Sequence, residues 1–190
     1  MKVILIGAGR LATNLGKALL EAGHDILQVY SRTMESASAL ATLAGGAPVT
    51  EIEKVRKDAD VYIISVKDSV LPDLVQALCS GRSTKVFLHT AGSVNMDVFA
   101  GMALHYGVFY PMQSFSKEQT VSFHDIPCFV EANDDYARDV LMQLAQGLTT
   151  KIYQLSSEDR KYLHLSAVFA CNFVNHCYAV SYDILKKHGI

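Results

Sequence analysis

The feature that most constrains the fold is a short glycine-rich motif near the N-terminus. An apolar run at residues 3–6 leads directly into it, and an amphipathic pattern at residues 11–22 follows it. The motif fits G-x-G-x-x-G/A and reads Gly7-Ala8-Gly9-Arg10-Leu11-Ala12. In such strand–turn–helix units the first glycine permits a tight turn, and the second lets backbone N–H groups approach a pyrophosphate. The motif therefore predicts a dinucleotide site at a helix N-terminus.

Short apolar runs alternate with helical patterns along most of the chain. Strands are predicted at residues 3–6, 26–30, 61–66, 86–89, 107–110, 128–131 and 152–155. Helices are predicted at residues 11–22, 34–43, 71–78, 136–148 and 157–187. The strands are continuous and rich in β-branched residues, which is typical of a parallel sheet buried on both faces. We predict an α/β fold with a Rossmann-type doubly wound, mostly parallel sheet, followed by a long helix that opens an α-helical C-terminal domain.

Composition excludes several classes of protein. The net charge is −2 with no long run of like charge, which argues against a nucleic-acid partner and an anionic membrane surface. The most apolar long stretch, residues 163–180, contains two histidines and two asparagines, and a membrane span rarely carries so many polar groups. The cysteines lack metal-ligand spacing and suit a reducing compartment. We expect a cytoplasmic protein with no metal centre and no membrane partner.

The end of the second predicted strand favours NADP(H) over NAD(H). NAD-specific sites usually place Asp or Glu there, ~20 residues beyond the glycines, to bind the ribose hydroxyls. Here the strand ends in Ser31, Arg32 and Thr33. A guanidinium and two hydroxyls suit a 2′-phosphate. The alternative interpretation is a surface arginine beside a helix cap.

Four segments together resemble a known superfamily. They are the glycine motif, Ser65-Val66-Lys67-Asp68, His89-Thr90-Ala91-Gly92-Ser93 and Tyr110-Pro111-Met112-Gln113-Ser114-Phe115. With the long helix that follows, they resemble the 6-phosphogluconate dehydrogenase-like superfamily, and within it the proposed NADP oxidoreductases with a helical C-terminal domain. Pyrroline-carboxylate reductases and deazaflavin-dependent NADP reductases are more distantly similar. The resemblance implies an NADP-dependent oxidoreductase, usually dimeric, with substrate bound between the sheet and the C-terminal helices.

Turns at the carboxyl ends of neighbouring strands form the expected pocket, because ligands of open parallel sheets bind beyond those ends. The first turn, Ser65, Val66 and Lys67, resembles one that lies along the cofactor in pyrroline-carboxylate reductases. Asp68 stands where those enzymes carry proline, so an ordinary polar turn is the alternative interpretation.

The next two turns carry small and polar residues. The small side chains of Thr90, Ala91 and Gly92 would let a nicotinamide ring or a substrate approach the backbone. The Ser93 hydroxyl could orient a polar substrate; the alternative is a capped strand-to-helix turn. After the following strand, predicted substrate-binding groups are Gln113 and Ser114, flanked by two apolar side chains that could exclude water, or that simply plug the loop. Those side chains are Met112 and Phe115.

The long helix supplies the remaining wall and the candidate proton donor. Several dehydrogenases of the superfamily carry Lys-x-x-x-Asn on the equivalent helix, with the lysine moving the proton. Asn172 matches the asparagine, but Val168 occupies the lysine position. His164, one turn earlier, is the best replacement because histidine titrates near neutral pH. At ~100° per residue, Arg160, His164 and Asn175 fall near one line along the helix; a satisfied core histidine is the alternative interpretation.

These residues predict an oxidoreductase that transfers hydride between NADP(H) and a small C=O or C=N substrate. His164 would be the proton donor, with Asn172 and Ser93 orienting the substrate. The missing lysine supports an alternative, a non-catalytic NADP(H)-binding redox sensor.

The predicted domains are residues 1–156, the NADP-binding Rossmann-like domain, and residues 157–190, the first helix of a helical domain for dimerisation and substrate binding. That helix is apolar all round, and such a helix is buried all round, whereas the sheet covers only one face. Related proteins continue for several more helices. We therefore expect the chain to be a truncated portion of a longer protein, whose added helices and second subunit complete the pocket in a symmetric homodimer.

Overall fold

A computed structural model describes residues 1–116 and 121–190 and contains one eight-stranded sheet. The strands are β1 (Lys2–Ile6), β2 (Asp25–Tyr30), β3 (Ala47–Val49), β4 (Val61–Ile64), β5 (Val86–His89), β6 (His105–Pro111), β7 (Cys128–Ala132) and β8 (Ile152–Gln154). The helices are α1 (Arg10–Glu21), α2 (Met34–Ala44), α3 (Leu71–Cys79), α4 (Asp135–Gln146), α5 (Ser157–Ala167) and α6 (Val174–Lys187). Two short 3₁₀ turns cover Ile52–Lys54 and Met96–Phe99.

The strand order confirms the doubly wound fold. The sheet runs β3-β2-β1-β4-β5-β6-β7-β8, and neighbouring strands are parallel except for β6 and β7. From β1 the chain proceeds to β2 and β3 on one side, then returns to place β4 on the other. The carboxyl ends of β1 and β4 therefore flank a crevice, the usual ligand site of such sheets.

Two apolar layers cover the faces of the sheet. Val3 and Leu5 of β1 belong to one cluster, and Ile4 and Ile6 to the other. These side chains are at most 1% exposed, because successive residues of a strand point to opposite faces. Helices α1 and α4 contribute to the first cluster and α3 to the second, which explains the continuous apolar runs in the central strands.

The C-terminal helix is continuous but not regular. Between α5 and α6, six residues form a π-helical segment, Val168–Phe173. A π turn accommodates an extra residue, so side chains after it are rotated relative to a regular α-helix. This corrects the expectation that Arg160, His164 and Asn175 lie near one line, which the α-helical spacing supports only as far as Ala167.

The second half of this helix is solvent-exposed along its whole length. Every residue from 169 to 190 is exposed. The exposed large side chains include Phe169, Phe173, Tyr178, Tyr182 and Ile184. Within residues 1–116 and 121–190, no helix is both long and apolar enough to cross a membrane.

Candidate active site

The glycine motif forms the turn between β1 and α1. Gly7 has φ +106°, and a Cβ atom there would lie 2.2 Å from the Ser65 carbonyl oxygen, so both the turn and the close approach of β4 require glycine. A Cβ atom at Gly9 would meet no heavy atom within 4 Å. Packing within the chain therefore does not require glycine at position 9, whereas close approach of a pyrophosphate to the backbone would. Ala12 is fully buried, as the close contact of helix and strand demands.

A cleft of about 300 Å³ opens beside this turn, between the ends of β1, β2 and β4. Its lining residues are Gly7, Ala8, Gly9, Tyr30, Ser31, Arg32, Ser36, Val66, Lys67, Val70 and Leu74. Both charged residues among them are cations, and the apolar ones include Val66, Val70 and Leu74. The last three motif residues lie outside the lining. Arg10 is exposed at the start of α1, Leu11 packs against the first core cluster, and Ala12 is buried. The lining of the cleft thus combines apolar side chains with two positive charges.

Thr33, predicted to bind the cofactor, lies outside the residues that line the cleft. Its side-chain oxygen accepts a hydrogen bond from the Ser36 N–H at 3.3 Å and so caps α2. The hydroxyls that line the cleft beside Arg32 are those of Ser31 and Ser36. Sequence analysis missed Ser36, although its place in the first turn of the helix after the second strand was a usable signal.

The turn after β5 is held against the end of β4. The buried Thr90 hydroxyl lies 3.2 Å from the Ser65 hydroxyl oxygen and 3.4 Å from the Ile64 carbonyl oxygen. Ser93 donates a hydrogen bond to the carboxylate of Asp68. The three turns predicted to form the pocket therefore include two that contact each other directly through side chains.

His164 packs onto this turn at Gly92. A Cβ atom at Gly92 would lie 2.5 Å from His164 Nδ1 and 2.6 Å from its Cγ. The imidazole ring therefore gives one reason for glycine at this position, and the predicted approach of a ligand to the turn stays a prediction. The predicted proximity of His164 to the turn at 90–93 is present in the structure.

Tyr110, which sequence analysis did not select, contacts the same imidazole. The Tyr110 hydroxyl lies 3.0 Å from His164 Nδ1, and the two rings meet edge to face. Burial raises the pKa of Tyr110; the Asp68 charge raises it further and the Arg160 charge opposes this. The phenol therefore keeps its proton and can donate it to Nδ1 of a neutral imidazole, whereas an imidazolium would donate from Nδ1 to the phenol oxygen.

A buried ion pair fixes the start of α5. Arg160 is 1% exposed; its Nη1 donates to Glu131 Oε2 at 2.7 Å, and its Nη2 donates to the Val94 carbonyl oxygen at 2.6 Å. The same Glu131 carboxylate accepts hydrogen bonds from the N–H and the hydroxyl of Ser157, at 2.8 and 2.6 Å. Four residues thus join β7, the segment after β5 and the first turn of α5. No sequence pattern indicated this network.

The remaining predicted residues are not brought into this cluster by hydrogen bonds. Asn172 is exposed on the π segment, and its side chain makes no hydrogen bond to the residues that the structure describes. Gln113 and Ser114 are exposed, and the Gln113 side-chain oxygen accepts from the Ser114 N–H at 2.8 Å. Phe115 stacks on Phe123 beside the first core cluster, so it has a packing role.

Asn14 anchors the segment that follows β6. Its side-chain nitrogen donates to the Ser116 carbonyl oxygen at 2.7 Å, and its oxygen accepts from the Val121 N–H at 3.1 Å. The residue is 2% exposed and lies on α1. It thereby connects Ser116 and Val121 to α1, the helix that follows the glycine motif. A buried asparagine within an amphipathic helix was the signal available in the sequence.

Two family models match the chain. One, described as NADP oxidoreductase coenzyme F420-dependent, matches residues 2–91. The other, a domain of unknown function (DUF2520), matches residues 126–190. No curated protein matches the chain.

Solved structures extend these matches over the whole chain. A proposed NADP oxidoreductase from Bacteroides fragilis is 47% identical with a TM-score of 0.94, and the match covers 100% of this chain and 73% of that one. An imine reductase from Myxococcus stipitatus, solved with NADP⁺, is 16% identical (TM-score 0.74; 100% and 68% covered). A pyrroline-5-carboxylate reductase from Coxiella burnetii is 18% identical (TM-score 0.71; 99% and 71% covered). These last two similarities show the fold alone.

Proposed function

This chain belongs to the NADP oxidoreductase family, and from that premise we propose that it transfers hydride between NADP(H) and a small substrate with a C=O or C=N bond. The observation that carries the proposal is the cleft at the ends of β1, β2 and β4, whose two charged residues, Arg32 and Lys67, are cations. A dinucleotide carries its negative charge on phosphates, so this lining suits it.

The cleft residues fit the parts of NADP(H) in order along the crevice. The turn at Gly7–Gly9 and the N-terminus of α1 suit the pyrophosphate. The guanidinium of Arg32 and the hydroxyls of Ser31 and Ser36 suit the 2′-phosphate. The apolar wall of Tyr30, Val70 and Leu74 suits an adenine ring.

The Tyr110–His164 pair supports acid chemistry beside this cleft. When bound, NADPH supplies the hydride that reaches the electrophilic carbon. As the imidazolium, His164 would donate its Nε2 proton to the substrate heteroatom and become the neutral ring, while the contact between the Tyr110 hydroxyl and Nδ1 holds the ring in one orientation. Ser93, in the turn that the His164 ring contacts at Gly92, orients the substrate.

We further propose that Gln113, Ser114 and Asn172 contact the part of the substrate away from the reacting bond. All three are exposed polar residues: Gln113 and Ser114 follow β6, and Asn172 lies on the π segment. They are also free to turn toward a ligand, since none of their side chains is held by a distant partner among the residues that the structure describes.

The exposed apolar side chains of α6 and of the π segment support a homodimer. Phe169 and Phe173 stack at 4.9 Å between ring centroids while 60% and 51% exposed. Large apolar side chains in one exposed stretch are typical of an interface. The four cysteines are free, which supports work in a reducing compartment such as the cytoplasm.

The test is a titration of wild-type protein with NADPH and with NADH. Binding is measured by calorimetry or by the fluorescence of the reduced nucleotide. We expect at least tenfold tighter binding of NADPH, and loss of that preference in Arg32→Ala. Arg138→Ala, which removes another exposed arginine away from the cleft, is the control and should retain the preference. Equal affinity for the two cofactors in the wild type would refute the NADP assignment.

A further inference from the structure

The carboxylate of Asp68 lies where the two central turns of the proposed site meet. Asp68 follows Lys67 at the end of β4, and it accepts a hydrogen bond from the Ser93 hydroxyl in the turn after β5. That second turn contacts the His164 ring at Gly92. Asp68, Ser93 and His164 therefore belong to one cluster built from two strand ends and α5.

The negative charge of Asp68 has no cation paired with it. Among the residues that the structure describes, no Lys or Arg forms an ion pair with this carboxylate. The neighbouring Lys67 lines the cofactor cleft, and the buried Arg160 is paired with Glu131 at 2.7 Å. After burial and against the larger opposing effect of the Arg160 charge, the Asp68 charge also raises the pKa of Tyr110.

We propose that Asp68 is the counter-ion of a cationic substrate, so that the site prefers protonated imines and amines to ketones, alcohols and carboxylate-bearing ligands. The inference rests on the proposed function and narrows its substrate class. A cationic substrate group beside this carboxylate would form an ion pair with it, because no Lys or Arg among the described residues already does. An anionic group would be repelled by the like charge. The Ser93 hydroxyl, held by the carboxylate, fixes the position of that charge.

The reduction of such a substrate needs only the hydride of the cofactor and one proton. Hydride adds to the carbon of the C=N⁺H bond, and the π electrons become the lone pair of the nitrogen. The product is an amine that keeps the N–H proton and takes a second proton to become an ammonium ion. His164 supplies that second proton once the lone pair has formed on the nitrogen. In reverse, the amine loses the same hydride to the oxidised cofactor.

Three probes of one ring size test the preference. Pyrrolidinium carries a cation, cyclopentanol is neutral, and proline adds a carboxylate to the cationic ring. Each is titrated by ligand-observed NMR into the protein saturated with NADP⁺. We expect pyrrolidinium to bind at least tenfold more tightly than cyclopentanol and proline, and added salt to weaken pyrrolidinium selectively.

Asp68→Asn should remove most of the advantage of pyrrolidinium, because the amide keeps the shape but not the charge. Asp139→Asn, an exposed carboxylate on α4, is the matched control and should preserve it. The proposal is overturned if no probe binds, if cyclopentanol or proline binds as tightly as pyrrolidinium, or if the gap persists in Asp68→Asn. NADP⁺ affinity, measured in the same samples, tests the proposed function separately: a wild type that binds NADP⁺ without discriminating among the probes contradicts only the role of Asp68.

Discussion

Replacement of Glu131 by alanine should destabilise the fold far more than the loss of a surface ion pair. The substitution removes the acceptor of three hydrogen bonds, one from Arg160 and two from Ser157. It also leaves the guanidinium of Arg160, which is 1% exposed, without its carboxylate. A buried charge that loses its partner is poorly solvated, and this is the main cost.

The magnitude follows from the burial of the pair. Removal of one member of a buried ion pair typically costs about 3–5 kcal/mol. The Glu131 side chain retains 16% exposure, so water can partly replace it, and we expect about 3 kcal/mol. That is a large share of the roughly 5–15 kcal/mol that stabilises a typical domain. Glu131→Gln keeps an acceptor for Ser157 and should cost less.

The chain offers a matched control. Asp135 and Arg138 form an ion pair at 2.8 Å, almost the same distance as the 2.7 Å of the buried pair, but their side chains are 87% and 50% exposed. Asp135→Ala should therefore cost no more than about 1 kcal/mol. Urea unfolding followed by circular dichroism gives the free energy of unfolding for each variant, provided that the slope with urea is unchanged.

Equal losses for Glu131→Ala and Asp135→Ala would refute the reasoning, because the first pair is buried and shares its carboxylate with Ser157 whereas the second is exposed. A second readout connects stability to the site. Glu131→Gln, if folded, should lower turnover more than NADPH affinity, since Arg160 lies one turn before His164 while the cofactor cleft lies at other strand ends. A loss of NADPH affinity with unchanged turnover would contradict that link.

Three further predictions concern single positions. Gly9→Val should abolish NADPH binding with little change in the thermal midpoint, whereas Gly7→Ala should lower the midpoint, because its Cβ atom would lie 2.2 Å from a backbone oxygen; the reverse pattern would contradict the roles given to the two glycines. Burial lowers the pKa of His89 to about 3, so its contribution to stability is complete above the unfolded value of about 6.5 and is lost as the pH falls toward 3. Urea unfolding between these values should show wild type losing up to about 1.4 kcal/mol per pH unit more than His89→Gln, and identical slopes would count against it. Burial raises the pKa of two cysteine thiols to about 12, so alkylation near neutral pH should label only the exposed pair, as counted by mass spectrometry; rapid modification of all four would show that the core opens. The protected thiols are Cys79 and Cys128, and the reactive ones are Cys171 and Cys177.

The sequence predicted the elements whose signals are local. The strand, glycine turn and helix at the N-terminus are adjacent along the chain. The unbroken apolar runs of the central strands indicate that these strands are buried. The strand β3 was missed because its three residues include Pro48 and are mostly exposed, as an edge strand permits. The π segment was missed because no residue type marks an extra residue in a helical turn.

The site was predictable only in part, because several of its residues are defined by partners distant in sequence. His164 was selected for its chemistry, but its contact with Tyr110 joins positions 54 residues apart. The pairing of Arg160 with Glu131 spans 29 residues, and that of Asn14 with Ser116 spans 102. A single sequence contains no periodicity that reports such pairs, whereas it does report caps and turns.

Gly92 shows how a local sequence signal and a contact distant in sequence combine at the proposed site. Sequence analysis assigned its missing side chain to a ligand, whereas the ring of His164 fills that space. The position of the turn after β5 is therefore set by α5, and α5 is held by Arg160 and Glu131. Glu131 belongs to β7, whose antiparallel pairing with β6 breaks the parallel pattern of the sheet. The site proposed for acid chemistry thus depends on an antiparallel strand outside the proposed cofactor cleft, so variants of β7 should lower turnover while NADPH affinity is preserved.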